Sequence, residues 1–166
     1  FPEFVSIQER PHLPRGMASI PFDSEGVGTY DRDIVTDGVL QAYVLSSYSA
    51  RRLGLETTAN AGGVQNLIVP GGGKNKAELI ADMGTGLVVE ELIGQGVNGV
   101  TGDYSRGAVG YWVENGEVAY PVHEVTIAGN LKDLYQHIAA IGDDQDTRSG
   151  IRCGSLLVEE MTIAGA

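Results

Sequence analysis

Residues 101–130 read TGDYSRGAVGYWVENGEVAYPVHEVTIAGN, and this stretch decides the fold. Its centre, Asn115-Gly116, supplies the positive φ that both central positions of a type I′ hairpin turn demand. A two-residue loop there pairs Val113 with Val118, Trp112 with Ala119 and Tyr111 with Tyr120. Aromatic and β-branched partners of this kind stabilise a strand pair by about 0.2–1 kcal/mol each. A second turn signal, Asp37-Gly38, joins Ile34-Val35-Thr36 to a strand running from Val39 to Leu45.

Helix signals lie between the strands. Ser47 or Ser49 can cap a short helix over Ala50 to Leu53 that Gly54 ends. Asn75 with Glu78 forms a capping-box pattern opening a helix through Met83, stopped by Gly84. Asn130 caps a third, whose apolar stripe is Leu131, Leu134, Tyr135, Ile138 and Ile141. Gly86 to Ile93 reads as a buried or half-buried strand, and Ser155–Val158 with Met161–Ile163 as the final strand region. Phe1 to Val5 has a strand's composition with nothing to fix it, while the prolines of Pro11 to Gly28 make a long ordered loop. The hexapeptide Glu124 to Gly129 recurs nearly unchanged at Glu160 to Gly165: two strands in equivalent places, or one local solution used twice. The expectation is a single α+β domain over residues 1–166, mainly antiparallel, with hairpins and three short helices.

Composition narrows function. Apolar residues make up 42% and charged residues 20%, ordinary for a globular chain, whereas 24 glycines are about twice the average usage and suit many short elements. A formal charge of −11 argues against nucleic acid, whose affinity comes from Lys and Arg neutralising phosphates. No apolar stretch approaches the roughly 20 residues that span a bilayer. The reading is a soluble, acidic, cytoplasmic protein. One Cys excludes an internal disulfide framework.

Several motif-like strings lack the context their chemistry needs. Gly94-Gln95-Gly96-Val97-Asn98-Gly99 matches GxGxxG, but turn and strand patterns follow it where a dinucleotide site needs a helix N-terminus. In Gly71-Gly72-Gly73-Lys74 the first Gly of a phosphate loop would fall at Ile68, and Asn75 stands where Ser or Thr is required. Ser105 evokes a nucleophile elbow, yet Asp103 occupies a position that needs Gly. His12 lies in the proline loop and His137 off the apolar stripe of the third helix, neither with a companion at ligand spacing.

From His12 onward the chain resembles the C-terminal half of the TldD/PmbA proteins, with the PmbA (TldE) branch the closer. The resemblance rests on HLPRGMASIPFDSEGV (from His12), SSYSARRLGL (from Ser46), MGTGLVVEELIGQGV (from Met83), the hairpin segment through PVHEVTIAGNLKD, and CGSLLVEEMTIAG (from Cys153). It implies that the chain is the C-terminal domain of a longer protein whose extra length lies upstream. It also implies a two-subunit peptidase that cleaves unfolded peptides. In that family an HExxxH helix holds zinc with two imidazoles and offers a carboxylate to activate water. No such helix occurs here: after His123-Glu124, the second His would fall where Ile127 and Ala128 stand.

The resemblance therefore implies no zinc in this chain and a TldD-type partner that carries it. In that partner a cysteine near the C-terminus completes the metal site and a Cys-Gly step also occurs there, which makes Cys153 the one metal candidate here beside its reading as a small buried hydrophobe. The Gly-rich rim of Gly94, Gly96, Gly99, Ser105 and Gly107 is the substrate-cleft candidate, since glycines let another backbone approach closely. Two alternatives stand beside this reading: an assembly or regulatory module without substrate contact, and an active metallopeptidase with its zinc helix upstream. A homodimer stays open for the chain in isolation.

Overall fold

The computed structural model describes residues 1–165. In chain order the elements are β1 (Ile7–Glu9), β2 (Arg32–Thr36), β3 (Val39–Leu40), α1 (Ser47–Leu53), β4 (Leu67–Ile68), α2 (Lys76–Met83) and β5 (Gly86–Ile93). There follow β6 (Asp103–Glu114), β7 (Glu117–Asn130), α3 (Leu131–Gln136), β8 (Ile138–Ile141), β9 (Ile151–Arg152), β10 (Leu156–Val158) and β11 (Thr162–Ala164). Among the described residues every strand pairing is antiparallel except β4 with β9, and three helices are present, so the fold is α+β and mostly antiparallel. None of these helices is long and apolar enough to cross a membrane.

The chain forms two compact units. One holds Phe1–Pro2, Gly73–Gly142 and the chain from Ser155 on; the other holds Glu3–Gly72 and Asp143–Gly154. The first is built on a four-stranded sheet of order β11-β7-β6-β5 and a two-stranded sheet β10-β8. Its long central hairpin turns where expected, with φ of 53° at Asn115 and 78° at Gly116. Val113 pairs with Val118 as the turn requires, but Trp112 then meets Tyr120 and Tyr111 meets Pro121. A bulge leaves Ala119 unmatched, so the register of the outer pairs differs from the sequence expectation by one residue. The shift sets two aromatic rings across from each other, a pairing worth more than Trp against Ala. Ala108 and Val113 on β6 are fully buried with Ile127 on β7, and Leu79 of α2 joins the same core. β5 is half-buried only from Gly86 to Val88 and exposed from Val89 onward.

Three further expectations are corrected. Phe1 to Val5 makes a turn and no strand; the Phe1 ring stacks on Tyr135 at 5.2 Å. The cap of α1 is Ser46, whose side chain accepts from the Ser49 N–H while Ser49 reaches back to Ser46, so Ser49 completes a capping box one turn inside. The third helix ends at Gln136, with His137 as its C-cap. Ile138 and Ile141 are buried as expected but belong to β8, paired with β10. Leu157 faces Ala140 and Val158 faces Ile138, which leaves Ala139 as an extra residue. That bulge brings residues three apart to one side, the spacing a helix also produces.

The duplicated hexapeptide resolves into a pair. Thr162, Ile163 and Ala164 of β11 lie antiparallel against Ala128, Ile127 and Thr126 of β7, so each copy of Thr-Ile-Ala is the other's partner.

The second unit is a five-stranded sheet of order β3-β2-β1-β4-β9 with α1. Asp37 (φ 48°) and Gly38 (φ 75°) close the β2–β3 hairpin, but β3 stops at Leu40 and not at Leu45. Past that point the Gln41 and Ala42 N–H groups both turn to Ile34 O, and Leu45 bonds the loop at Thr58. The proline loop is ordered as expected. Its Asp23 carboxylate is buried and accepts from the N–H groups of Glu25 (2.9 Å), Val27 (3.0 Å) and Ala61 (3.0 Å). Burial alone would raise the Asp23 pKa, but the three backbone donors outweigh it and hold the carboxyl below its ordinary value. A depressed folded pKa contributes stability above the unfolded value, lost as pH falls through the folded one. Thermal melts of the wild type and Asp23→Asn should therefore differ most near neutrality and converge below about pH 4. A constant gap across that range would refute the role of the ionised carboxylate.

Candidate functional site

The segment between β5 and β6 forms a hydrogen-bonded tip. Gly94 leaves β5 with φ 78°. Ser105 on β6 donates its N–H to Gly96 O at 2.7 Å, and a Cβ on Gly96 would sit 1.6 Å from Ser105 O. The backbone that approaches Gly96 closely thus comes from within the chain. Asn98 organises the turn: its Oδ1 accepts from the Val100 N–H (2.9 Å) and the Thr101 N–H (3.2 Å). Asn130 Nδ2 ties the tip to β7 by donating to Thr101 O at 3.0 Å. Gly99 has open space around it, and Val100 is 95% exposed at the apex. Gly107 faces Ile93 across the β5–β6 pair, where a Cβ would lie 3.2 Å from that of Ile93. All five rim residues named from the sequence therefore lie in one stretch of the first unit, with Ser105 exposed.

Beside that sheet lies a groove of about 700 Å³. One wall is α2, through Leu79, Ile80 and Met83; the floor is the sheet face at Leu87, Trp112 and Ile127. Consecutive residues of β5 (Gly86 to Val89) and of the β10 segment (Ser155 to Glu160) line it. A strand that contributes residues of both parities presents its backbone edge, because alternate side chains point to opposite faces. Among the described residues β5 pairs only with β6 and β10 only with β8, so each has one side free of strand partners there. This groove was not legible in the sequence. Its one signal was the duplicated hexapeptide, since Met161 and Ile163 of the second copy line it.

The potential metal ligands do not assemble. His123 is exposed on β7, beside Glu124, whose φ of 58° marks a bulge opposite Val109. His137 holds Asp133 O through Nδ1 at 2.8 Å, and His12 Nε2 lies 3.1 Å from Thr29 Oγ1. Cys153 is half-buried and its thiol points at Gly154 O, 3.3 Å away. Burial, with Asp144 nearby, pushes its pKa up and so disfavours the thiolate a metal needs. Among the described residues no three His, Cys, Asp or Glu side chains converge as a metal site. Ser105 likewise has no side-chain base partner among the described residues.

Residues 1–165 match the model of the PmbA/TldA metallopeptidase C-terminal domain, and the chain belongs to that family. The metalloprotease PmbA of Escherichia coli O157:H7 is 58% identical over 164 residues, 99% of this chain and 36% of that protein. A solved candidate modulator of DNA gyrase from Bacteroides thetaiotaomicron superposes with a TM-score of 0.92 at 33% identity, covering 99% of this chain and 37% of that one. TldE from Thermococcus kodakarensis shares the fold, with a TM-score of 0.82 at 23% identity over 99% of this chain and 40% of its own. The chain thus spans little more than a third of the relatives it matches.

Proposed function

We propose that this chain is the C-terminal domain of a PmbA/TldE-like subunit acting with a TldD-type partner to cleave unfolded peptides in the cytoplasm. The partner supplies zinc; this chain shapes the cleft and holds substrate extended. The observation that carries the reading is the groove bordered by two single-sided strands, within a chain of metallopeptidase family. Main-chain pairing at a strand edge binds peptide with little regard to side-chain identity, which suits a peptidase for unfolded chains. Beyond β5 an isolated antiparallel bridge of Val97 with Tyr104 carries the pairing with β6 into the Gly94–Gly107 rim.

The test is peptide cleavage by the full-length protein with and without a TldD-type subunit, alongside co-purification of the two. This subunit alone is expected to be inactive and the pair active. Gly99→Val, whose Cβ meets nothing within 4 Å, should lower turnover with the complex intact, and so should Gly107→Val, whose Cβ lies 3.2 Å from that of Ile93. Unchanged cleavage by both variants in a folded complex would remove the rim from substrate contact. The tip then supports the second reading, an assembly module, because Ile93, Val97 and Val100 offer an exposed apolar knob of the kind partners bury.

A further inference from the structure

The rim of the groove is chemically lopsided. Of its charged residues, Lys76 is committed to Glu90 at 2.6 Å and Asp82 to Lys74 at 2.5 Å. Glu159 and Glu160 have no ion-pair partner among the described residues, and both side chains are exposed at the mouth, directly after β10. Between them and α2 the floor is apolar: Leu87, Trp112, Ile127, Leu157 and Ile163. We infer that the groove takes an extended peptide with an apolar centre flanked by Lys or Arg, selected by Glu159 and Glu160. This rests on the peptide-handling reading above and adds a charge preference to it.

The apolar centre covers the floor, and the backbone pairs along β10 or β5. The flanking cation then reaches two carboxylates that have no competing partner. Edge pairing by itself ignores side chains; the two carboxylates restore a preference. At the mouth they remain in water, so the preference is salt-sensitive, with a screening length of about 8 Å at physiological ionic strength.

Trp112 is the sole tryptophan and lines the groove, which makes it the reporter. The chain is titrated with three Trp-free peptides sharing a Val-Leu-Val-Leu centre and flanked by Lys, Gln or Glu. The Lys peptide should change Trp112 emission and bind roughly tenfold more tightly than the Gln peptide at low salt, about 1.4 kcal/mol. The Glu peptide should bind more weakly still, and the differences should shrink as salt is raised. The double variant Glu159→Lys, Glu160→Lys should invert the order; both sites are exposed, where substitutions shift stability by only about 0.5 kcal/mol. Equal binding of all three peptides overturns the charge selection and leaves the peptide reading standing. Absence of a Trp112 response to any peptide overturns the groove as the binding site. If the reconstituted pair nevertheless cleaves peptide, the proposed function survives and only this inference falls.

Discussion

Arg32→Met is expected to destabilise the second unit by about 3–5 kcal/mol, because it strips the counter-charge from a carboxylate with no access to water. Glu9 on β1 is 1% exposed, and the Arg32 side chain that bonds it from β2 is 7% exposed. Asn60 Nδ2 and the Gln65 N–H each donate to Glu9 Oε1 at 2.8 Å, while Arg32 Nη1 donates to Thr58 O at 2.6 Å and Nη2 also meets Asn60. The network thus ties two strands to the 57–66 loop, where Ala59 and Asn66 hold positive φ. Loops with that strain persist only when their surroundings over-determine them. In the variant the remaining neutral donors cannot balance a buried charge. Chemical denaturation would read the loss, and the double variant Glu9→Gln, Arg32→Met should cost less than the sum of the singles by about 0.5–3 kcal/mol. A cost for Arg32→Met below about 1 kcal/mol, the range of exposed pairs, would show that the pair is solvated.

Gly110→Ala should be comparably damaging for a different reason. Gly110 sits in β6 opposite Val89, and a Cβ there would lie 1.8 Å from the backbone carbonyl oxygen of Val88. No rotamer relieves a clash with backbone, so β5 must move away from β6. Replacing a strand glycine by alanine ordinarily gains about 0.5–1 kcal/mol by restricting the unfolded chain. Overpacking a tight site costs about 1–3 kcal/mol and more where backbone must shift, so the net effect is a loss of about 2 kcal/mol or more. Trp112, which faces Leu87 on β5, should redden in emission as the strand separates. Gly99→Ala is the control, with nothing within 4 Å of its Cβ, and should stay within about 0.5 kcal/mol. Equal stability of the two variants would mean that β5 and β6 are not packed at this distance.

Both predictions depend on residues that are unremarkable in one dimension. Glu9 and Arg32 are 23 positions apart, and Gly110 is one glycine among 24. By contrast, the turns at Asp37-Gly38 and Asn115-Gly116, the Asn75 capping box and the stops at Gly54 and Gly84 were all legible, because each is chemistry between residues a few positions apart. The same locality explains the family resemblance, which is carried by short dense motifs. That the space beside Gly96 is taken by the chain's own Ser105 was not legible in the sequence.

Tertiary structure decided what local spacing leaves degenerate. A bulged strand and a helix both place Ile138 and Ile141 on one side, and only pairing with β10 selects the strand. The hairpin register slips at Ala119 because cross-strand packing of Trp112 with Tyr120 overrides simple counting from the turn. The meeting of the two Thr-Ile-Ala copies arises from contacts between residues more than thirty positions apart. Sequence alone determined the two hairpin turns, the Asn75 and Asn130 caps and the stops at Gly54 and Gly84, since those free energies are local. Which edges stay open, and which charges stay unpaired beside them, is set by long-range packing that no window of the sequence contains.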